Sequence, residues 1–345
     1  MEGVPKINKK RILSIITVIA LIAAFLNFYT LPYYVTRPGM AMELDTVIDV
    51  ENGTDADGKF MLTTVRMGKA NLITYSIAKM NKYYEIFTLD QIRYENEDDE
   101  EYRVRQSYLM ESSQENALQV AFERANKHVE VKYNGIFVLG IIDGSPAENI
   151  LKPGDRIISV DGNKFERSSD FTNYIQSKQE GDAVQLKIIR DGDELTKEIT
   201  LKMIEEIGKV GVGISLVEDK EVITEPDVSI DTEDIGGPSA GLMFSLEIYN
   251  QLVEEDITKG YLIAGTGTID PEGKVGPIGG VEQKIVAAHK SGAEIFFAPN
   301  ENGKKDSDYE RAVLTAKDIK TDMVIVPVDT FDDALNYLKS LEEKK

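Results

Sequence analysis

Hydrophobic and polar residues follow different patterns in successive parts of the chain, and the first part is almost entirely apolar. After the basic stretch KINKKR, residues 6–11, the run from Ile12 to Val35 contains no charged residue. A helix that crosses a bilayer takes about 20 consecutive, mostly apolar residues. The run therefore predicts a transmembrane helix over residues 12–35. A cleaved signal peptide is the alternative, but its apolar core would be roughly 7–15 residues long and end in an A-x-A-like site, which we do not find.

The charges that flank this run predict its orientation. Basic residues cluster in 6–11, whereas only Arg37 carries positive charge between the run and Lys59. The positive-inside rule then places the N-terminus, residues 1–11, in the cytoplasm and the rest of the chain outside. We therefore expect a single-pass cell-membrane protein with a lipid-embedded helix and an extracytoplasmic folded part.

The next part, residues 36–126, combines strand-like and helical patterns. Strand-like runs lie between Met42 and Arg66, and NLITYSIAKMNKYYEIF after them predicts a helix. The acidic run ENEDDEE, residues 95–101, is typical of a solvated loop or a helix start. An amphipathic helix follows, because four positions recur at helical spacing on one face while the remaining face is polar. These positions are Met110, Gln114, Ala117 and Ala121.

Between Val129 and Leu201 the pattern changes to short β-runs separated by turns. The pairs Asp161-Gly162 and Asp191-Gly192 are typical of tight hairpins. The stretch GSPAENILKPGDRIISVDG, residues 144–162, closely resembles bacterial PDZ domains. This resemblance implies a β-rich PDZ domain over residues 127–202.

PDZ domains bind peptides by adding a strand to the edge of a sheet. The loop that would bind a peptide carboxylate is not evident in the sequence. The stretch YNGIF offers a candidate groove at Gly135, Ile136 and Phe137. A β-module with a purely structural role is the alternative.

After Leu201 strand-like and helical runs alternate. GYLIAGTGTI and AEIFFAP are strand-like, whereas GGVEQKIVAAHKSG between them has a helical pattern. Such alternation predicts a sheet that is covered by helices.

Composition narrows the classes of function. The 345 residues include 39 basic and 60 acidic side chains, and the net charge of −21 argues against nucleic-acid binding. The sequence has no cysteine and only two histidines, so thiol catalysis is excluded and a zinc site is disfavoured. It also has no G-x-x-x-x-G-K-[ST] loop for a nucleotide. We expect neither a metal nor a cofactor.

The stretch DIGGPSAGLMF places Ser239 at the start of an apolar helical pattern. A serine at this position is either a helix cap or a nucleophile. A Ser-His-Asp triad would need a histidine, and neither His128 nor His289 lies in a recognisable triad motif.

Lysine is the remaining candidate base. Lys284 shares a helical face with Val281, Ile285 and Ala288. Its side chain would either extend to the surface, as an isolated lysine on such a face does, or lie in the core. Burial would lower its pKa and make the neutral amine available as a general base.

The stretches GGPSAGLMFSLEIY (236–249) and AGTGTIDPEGKVGPIGGVEQKIVAAHKSGAE (264–294) closely resemble the proteolytic domain of Lon proteases. The resemblance implies a Ser-Lys dyad of Ser239 and Lys284, with Thr266 orienting the lysine amine. It also implies an oxyanion site in the backbone around the serine. The residues of that site are Gly237, Pro238, Ser239 and Ala240.

These observations predict an α+β protein with an N-terminal transmembrane helix and a Lon-type α/β protease domain. That domain would consist of residues 36–126 and 203–345, with the PDZ domain inserted between them. We expect an ATP-independent serine endopeptidase that cleaves extracytoplasmic peptides or loosely folded proteins, with the PDZ domain assisting recognition. The resemblance also suggests a homo-oligomeric ring. A catalytically silent scaffold that binds peptides at the cell surface is the alternative.

Overall fold

The computed structural model describes residues 9–94, 97–165, 167–205, 207–232 and 235–344. The first eight residues of the predicted cytoplasmic N-terminus lie outside this part. The chain divides into two compact units, of which the smaller comprises Met1–Gly39 and Val65–Ile92. The larger comprises Met40–Thr64 and Arg93–Lys345.

The described helices and strands are numbered in chain order. The helices are α1 (Lys9–Phe28), α2 (Leu72–Met80), α3 (Leu89–Ile92), α4 (Asp99–Arg124), α5 (Ser168–Gln176), α6 (Gly241–Leu252), α7 (Val281–Lys290), α8 (Asp308–Asp318) and α9 (Phe331–Lys339). The strands are β1 (Thr30–Glu43), β2 (Ile48–Val50), β3 (Lys59–Asn71), β4 (Glu85–Thr88), β5 (His128–Ile141), β6 (Arg156–Val160), β7 (Ala183–Arg190), β8 (Asp193–Thr200), β9 (Lys202–Ile204), β10 (Lys209–Gly211), β11 (Ile214–Glu225), β12 (Val228–Ile230), β13 (Leu262–Gly265), β14 (Thr268–Ile269), β15 (Val275–Gly276), β16 (Ile295–Pro299) and β17 (Val324–Val328).

The apolar run that we predicted to cross a membrane is divided between a helix and a strand. Helix α1 ends at Phe28, and strand β1 begins at Thr30, so the last part of the run is extended. The helix also begins with three basic residues. Its remaining apolar part is shorter than a typical membrane-spanning segment, which has about 20 residues. Among the described residues, no helix has the length and apolar character that a membrane span requires. The predicted transmembrane helix and the single-pass localisation with an extracytoplasmic catalytic part are therefore wrong.

The smaller unit contains the short helix α2 and an antiparallel pair of strands, β1 and β4. Helix α2 begins at a capping box in which Asn71 and Thr74 bond each other's backbone N–H groups. The helix ends at Met80, and β4 then pairs antiparallel with β1. The helix predicted for this stretch is thus correct only in its first half. A small core of Val35, Ala70 and Ala78 holds the unit together.

The larger unit is built on a parallel sheet with the strand order β17-β16-β13-β3. Helix α4 packs against α6 in the main core of this unit. Its buried face includes Met110, Ala117 and Ala121, three of the four positions that the helical spacing predicted. The alternation of strands and helices predicted after Leu201 is confirmed by α6 to α9 and β13 to β17.

Residues 128–225 form a second sheet in the larger unit, with the order β11-β5-β6-β7-β8. It has its own core, in which Ile136, Val184 and Leu186 are fully buried, and α5 packs on that core through Phe171. The pair Asp191-Gly192 connects β7 to β8 with φ values of 54° and 87°. Positive φ at both residues is the conformation of the tight hairpin turn that the sequence predicted.

Candidate active site

Ser239 lies two residues before α6 and does not cap it. The residue at the cap position is Ala240, and within the described residues no side-chain capping hydrogen bond is present. The Ser239 hydroxyl instead lies 2.7 Å from Lys284 Nζ. The capping interpretation is therefore wrong for this serine.

Lys284 lies in the first turn of α7 with only 2% of its surface exposed. Its amine reaches Ser239 Oγ at 2.7 Å and Thr266 Oγ1 at 2.8 Å. The neighbouring Val281 and Ile285 are fully buried, as the spacing predicted. The side chain thus lies in the core rather than extending to the surface.

Thr266 follows directly after β13 and is fully buried. Its hydroxyl donates to the backbone carbonyl of Ser239 at 3.0 Å. Since the hydroxyl proton is used there, Thr266 Oγ1 can only accept from the lysine amine. One amine N–H is therefore directed at Thr266, and the nitrogen lone pair of a neutral Lys284 is left for the Ser239 hydroxyl.

The charge state of Lys284 is set by burial. Desolvation lowers the pKa of this lysine to about 7, and the carboxylate of Asp308 opposes the shift only in part. Asp308 is itself occupied, since it accepts from Ile278 N at 2.8 Å and pairs with Arg311. A large fraction of Lys284 is therefore neutral near pH 7.

The predicted oxyanion residues differ in what their backbone can donate. Gly237 has a φ of 89°, which favours glycine, and its N–H donates to the carbonyl of Gln106 at 3.0 Å. Pro238 has no N–H, and its carbonyl accepts from Ser113 Oγ at 3.0 Å. Within the described residues, the N–H groups of Ser239 and Ala240 have no hydrogen-bond partner. These two groups remain available for a developing negative charge.

Sequence reasoning missed the contribution of α4 to this site. Gln106 and Ser113 contact the loop before Ser239, and they lie on the same helical face as Met110. A polar residue at position 113, between Met110 and Ala117 on an apolar face, is the signal that could have identified it.

The candidate PDZ groove residues lie inside a paired strand. Ile136 pairs with Glu218 of β11 and Ile157 of β6, and Phe137 is also paired on both sides. A peptide could add as a strand at Ile136 or Phe137 only if one of these pairings opened. Peptide binding at this groove stays a prediction. In the described part of this sheet, β11 is the edge strand next to β5. The N-terminus of α5 contacts β11, where Ser168 N donates to Glu218 Oε1 at 2.9 Å.

A metal site is not evident in the part of the chain that the structure describes. No group of three or more His, Asp or Glu side chains there is placed to hold an ion. The chemistry that this geometry supports is nucleophilic attack by a hydroxyl that contacts an amine base.

Two regions of the chain match models of known protein families. Residues 205–340 match the model of the Lon protease (S16) C-terminal proteolytic domain, and residues 117–201 match the PDZ domain model. Lon protease of Campylobacter concisus is 38% identical over 99 residues, which cover 29% of this chain and 11% of that protein. Lon protease of Campylobacter jejuni is 31% identical over 150 residues, which cover 40% of this chain and 17% of that protein. The match thus spans less than a fifth of the length of these relatives.

Among solved structures, the PDZ domain of the SdrC-like protein from Listeria monocytogenes is 38% identical to this chain. The match covers 26% of this chain and 93% of that domain, with a TM-score of 0.25. The family models and the Lon relatives together show that the chain contains a PDZ domain and a Lon-type serine protease domain.

Proposed function

We propose that the protein is an endopeptidase in which Ser239 is the nucleophile and Lys284 the general base. The observation that carries this proposal is the 2.7 Å contact between the serine hydroxyl and a buried lysine amine. A hydroxyl is a weak nucleophile until an adjacent base removes its proton. Lys284 has this position, and its lowered pKa gives it the neutral form that the role needs.

In the proposed reaction, Lys284 transfers the proton of the Ser239 hydroxyl to the leaving amine. Neutral Lys284 takes the proton of Ser239 Oγ as the oxygen attacks the scissile carbonyl, and the resulting ammonium gives it to the leaving amine. A water then hydrolyses the acyl-enzyme, with Lys284 again as the base. Thr266 would act by orientation, since its oxygen accepts from the amine throughout. The N–H groups of Ser239 and Ala240 would stabilise the oxyanion.

We propose peptides or loosely folded proteins as substrates, cleaved without ATP. The sequence contains no P-loop, and the contacts of the dyad lie entirely within this chain. The PDZ domain would assist recognition, because such domains bind extended peptide segments. Assembly into a homo-oligomeric ring is implied by the Lon resemblance and is tested by sedimentation of the purified protein.

We also propose that the PDZ domain is inserted into one protease domain, with host segments 36–126 and 203–345. The parallel pairing of β3 with β13 supports this layout, as does the packing of α4 on α6. In both cases an element before the PDZ domain contacts an element after it. The host segments would then fold only together.

A serine-reactive fluorophosphonate tests the proposed function. The wild-type protein should be labelled and Ser239→Ala should not. Ser245→Ala is a matched control, because Ser245 lies in α6, shortly after Ser239, and its hydroxyl bonds the carbonyls of Gly241 and Leu242. An unlabelled wild type that still binds peptides would instead support the silent scaffold.

A further inference from the structure

Helix α4 supplies a buried serine to the backbone next to the proposed nucleophile. Ser113 is 3% exposed, and its hydroxyl donates to the carbonyl of Pro238 at 3.0 Å. Serine hydroxyls inside helices commonly bond a carbonyl of the preceding turn. The Ser113 hydroxyl is instead directed at a loop 125 positions further along the chain.

This hydrogen bond controls the direction of a second group. The Pro238 carbonyl and the Ser239 N–H belong to the same planar peptide unit, in which a trans bond directs them to opposite sides. Fixing the carbonyl against α4 therefore directs the Ser239 N–H away from α4. Within the described residues that N–H has no partner, so its direction is set by the carbonyl on the other side of the peptide.

The loop is held to α4 at a second point. Gly237 N donates to the carbonyl of Gln106 at 3.0 Å, seven residues before Ser113 on the same face of the helix. The packing there is tight, because a Cβ atom on Gly236 would lie 2.8 Å from Gln106 Cβ. The Gly237 and Ser113 bonds hold the chain on either side of Pro238, and Gly241 N adds a longer bond of 3.5 Å to the same carbonyl. These contacts restrict the rotation of the peptide.

The position of α4 is itself fixed by the next turn of the helix. Asn116 Nδ2 donates to the carbonyl of Ile269 at 2.9 Å. Lys220 of β11 donates to Asn116 Oδ1 at 2.6 Å, which fixes the orientation of the amide. Ser113 thus projects from a helix that is also hydrogen-bonded to β14 and β11.

We infer that Ser113 is a positioning residue that orients the Ser239 N–H as an oxyanion donor. This inference rests on the proposed function, since it assigns the N–H a part in the same reaction. Among the described residues, the Ser113 hydroxyl bonds neither Ser239 Oγ nor Lys284 Nζ, so it acts through the Pro238–Ser239 peptide. Preorganised donors stabilise a transition state without reorganisation, so a freely rotating donor loses much of its effect.

Steady-state hydrolysis of a fluorogenic peptide by the full chain tests the inference. Ser113→Ala should lower kcat by about 10- to 100-fold, somewhat less than the loss of an oxyanion donor. KM should stay within twofold, because the contact forms no part of substrate binding. The midpoint of the pH profile should also stay unchanged, because Lys284 keeps all its contacts. Ser112→Ala removes the same atom from the adjacent residue and should match the wild type.

A purely structural role for Ser113 would change the melting temperature but not kcat per folded enzyme. That result, or a change in KM alone, would overturn the inference while leaving the dyad intact. A wild type that neither hydrolyses the peptide nor reacts with the fluorophosphonate would instead refute the proposed function. The two failures are therefore distinguishable in the same experiment.

Discussion

Lys284 Nζ lies 2.7 Å from Ser239 Oγ although the two residues are 45 positions apart in the chain. Each lies at the start of a helix, Ser239 just before α6 and Lys284 in the first turn of α7. Thr266, at the end of β13 between them, contacts both residues. The site is therefore fixed by the starts of two helices and the end of one strand, which restricts the motion of the amine relative to the hydroxyl.

The lowered pKa of Lys284 predicts a pH-dependent rate. Only the neutral amine can accept the Ser239 proton, so kcat/KM should rise with pH through about 7 and then level off. Lys284→Arg keeps the charge but cannot deprotonate, so its activity should be as low as that of Ser239→Ala. The measurement is a pH-rate profile with a fluorogenic peptide, with folding checked by circular dichroism.

The matched control is Lys290→Arg, which changes an exposed lysine of the same helix and should leave the profile unchanged. Turnover by Lys284→Arg near the wild-type value would exclude lysine as the base.

The dependence of protein stability on pH supplies a second check on the pKa of Lys284. The pKa of Lys284 is about 7 in the native state and 10.5 in the unfolded state, so the unfolded state binds more protons between these values. The free energy of unfolding should therefore rise with pH from about 7 to 10.5. Lys284→Met should abolish that rise.

Thr266 is predicted to affect the orientation of the Lys284 amine more than its pKa. Thr266→Val removes the acceptor for the amine and the donor to the Ser239 carbonyl, so kcat should fall by about 10- to 100-fold, as for other positioning contacts. The pH midpoint should stay near about 7, because burial and Asp308, rather than Thr266, set the pKa of Lys284. Thr266→Ser keeps the hydroxyl and should retain most of the activity. Equal losses in both variants would contradict an orienting role.

The proximity of Ser239 and Lys284 could be predicted because two local stretches resemble the proteolytic domain of Lon proteases, and that resemblance implies a dyad of these residues. Ser239 and Lys284 each lie in a motif, and the apolar face around Lys284 is apparent from its spacing with Val281 and Ile285. The contact between Ser113 and Pro238 joins residues 125 positions apart, and no local pattern determines which polar side chain will meet which carbonyl. It therefore required the structure.

The error at the N-terminus has a related cause. Hydropathy describes how apolar a run is, but not where the backbone changes from helix to strand. The apolar run from Ile12 to Val35 contains such a change between Phe28 and Thr30. Tyr33, Tyr34 and Val35 have strong β-propensity, and they continue the run as part of β1 rather than of the helix.

The proposed layout predicts that the C-terminal segment cannot fold alone. The main core of the larger unit includes Leu62, Ala117 and Phe122 from residues 36–126, packed with Leu242 and Phe297 from residues 203–345. A fragment of residues 203–345 would expose the surface that these residues cover. We expect it to be unfolded and inactive by circular dichroism and peptide hydrolysis.

Deleting residues 127–202 and joining the ends by a short linker is the matched comparison. That protein should keep a cooperative thermal transition, because the paired strands β3 and β13 both remain. A folded, active 203–345 fragment would refute the layout.

Glu247 is predicted to make stability depend on pH. This residue of α6 is 4% exposed, and burial raises its pKa to about 7, although Gln251 Nε2 donates to it at 2.6 Å. Its native pKa lies above the unfolded value of 4.5, so the native state binds the extra proton between these two values. The stabilisation is complete below pH 4.5 and is lost as pH rises through about 7.

Glu247→Gln should remove this dependence, since an amide of the same shape carries no charge to bury. A shift of this size corresponds to about 3 kcal/mol. Urea unfolding should therefore give the variant a free energy close to that of the wild type at pH 5 and up to about 3 kcal/mol higher at pH 8. Glu254→Gln, at an exposed position just after the helix, should have little effect at either pH. If Glu247→Gln changed stability equally at both pH values, the buried carboxylate would not be the titrating group, and the effect would have to come from packing.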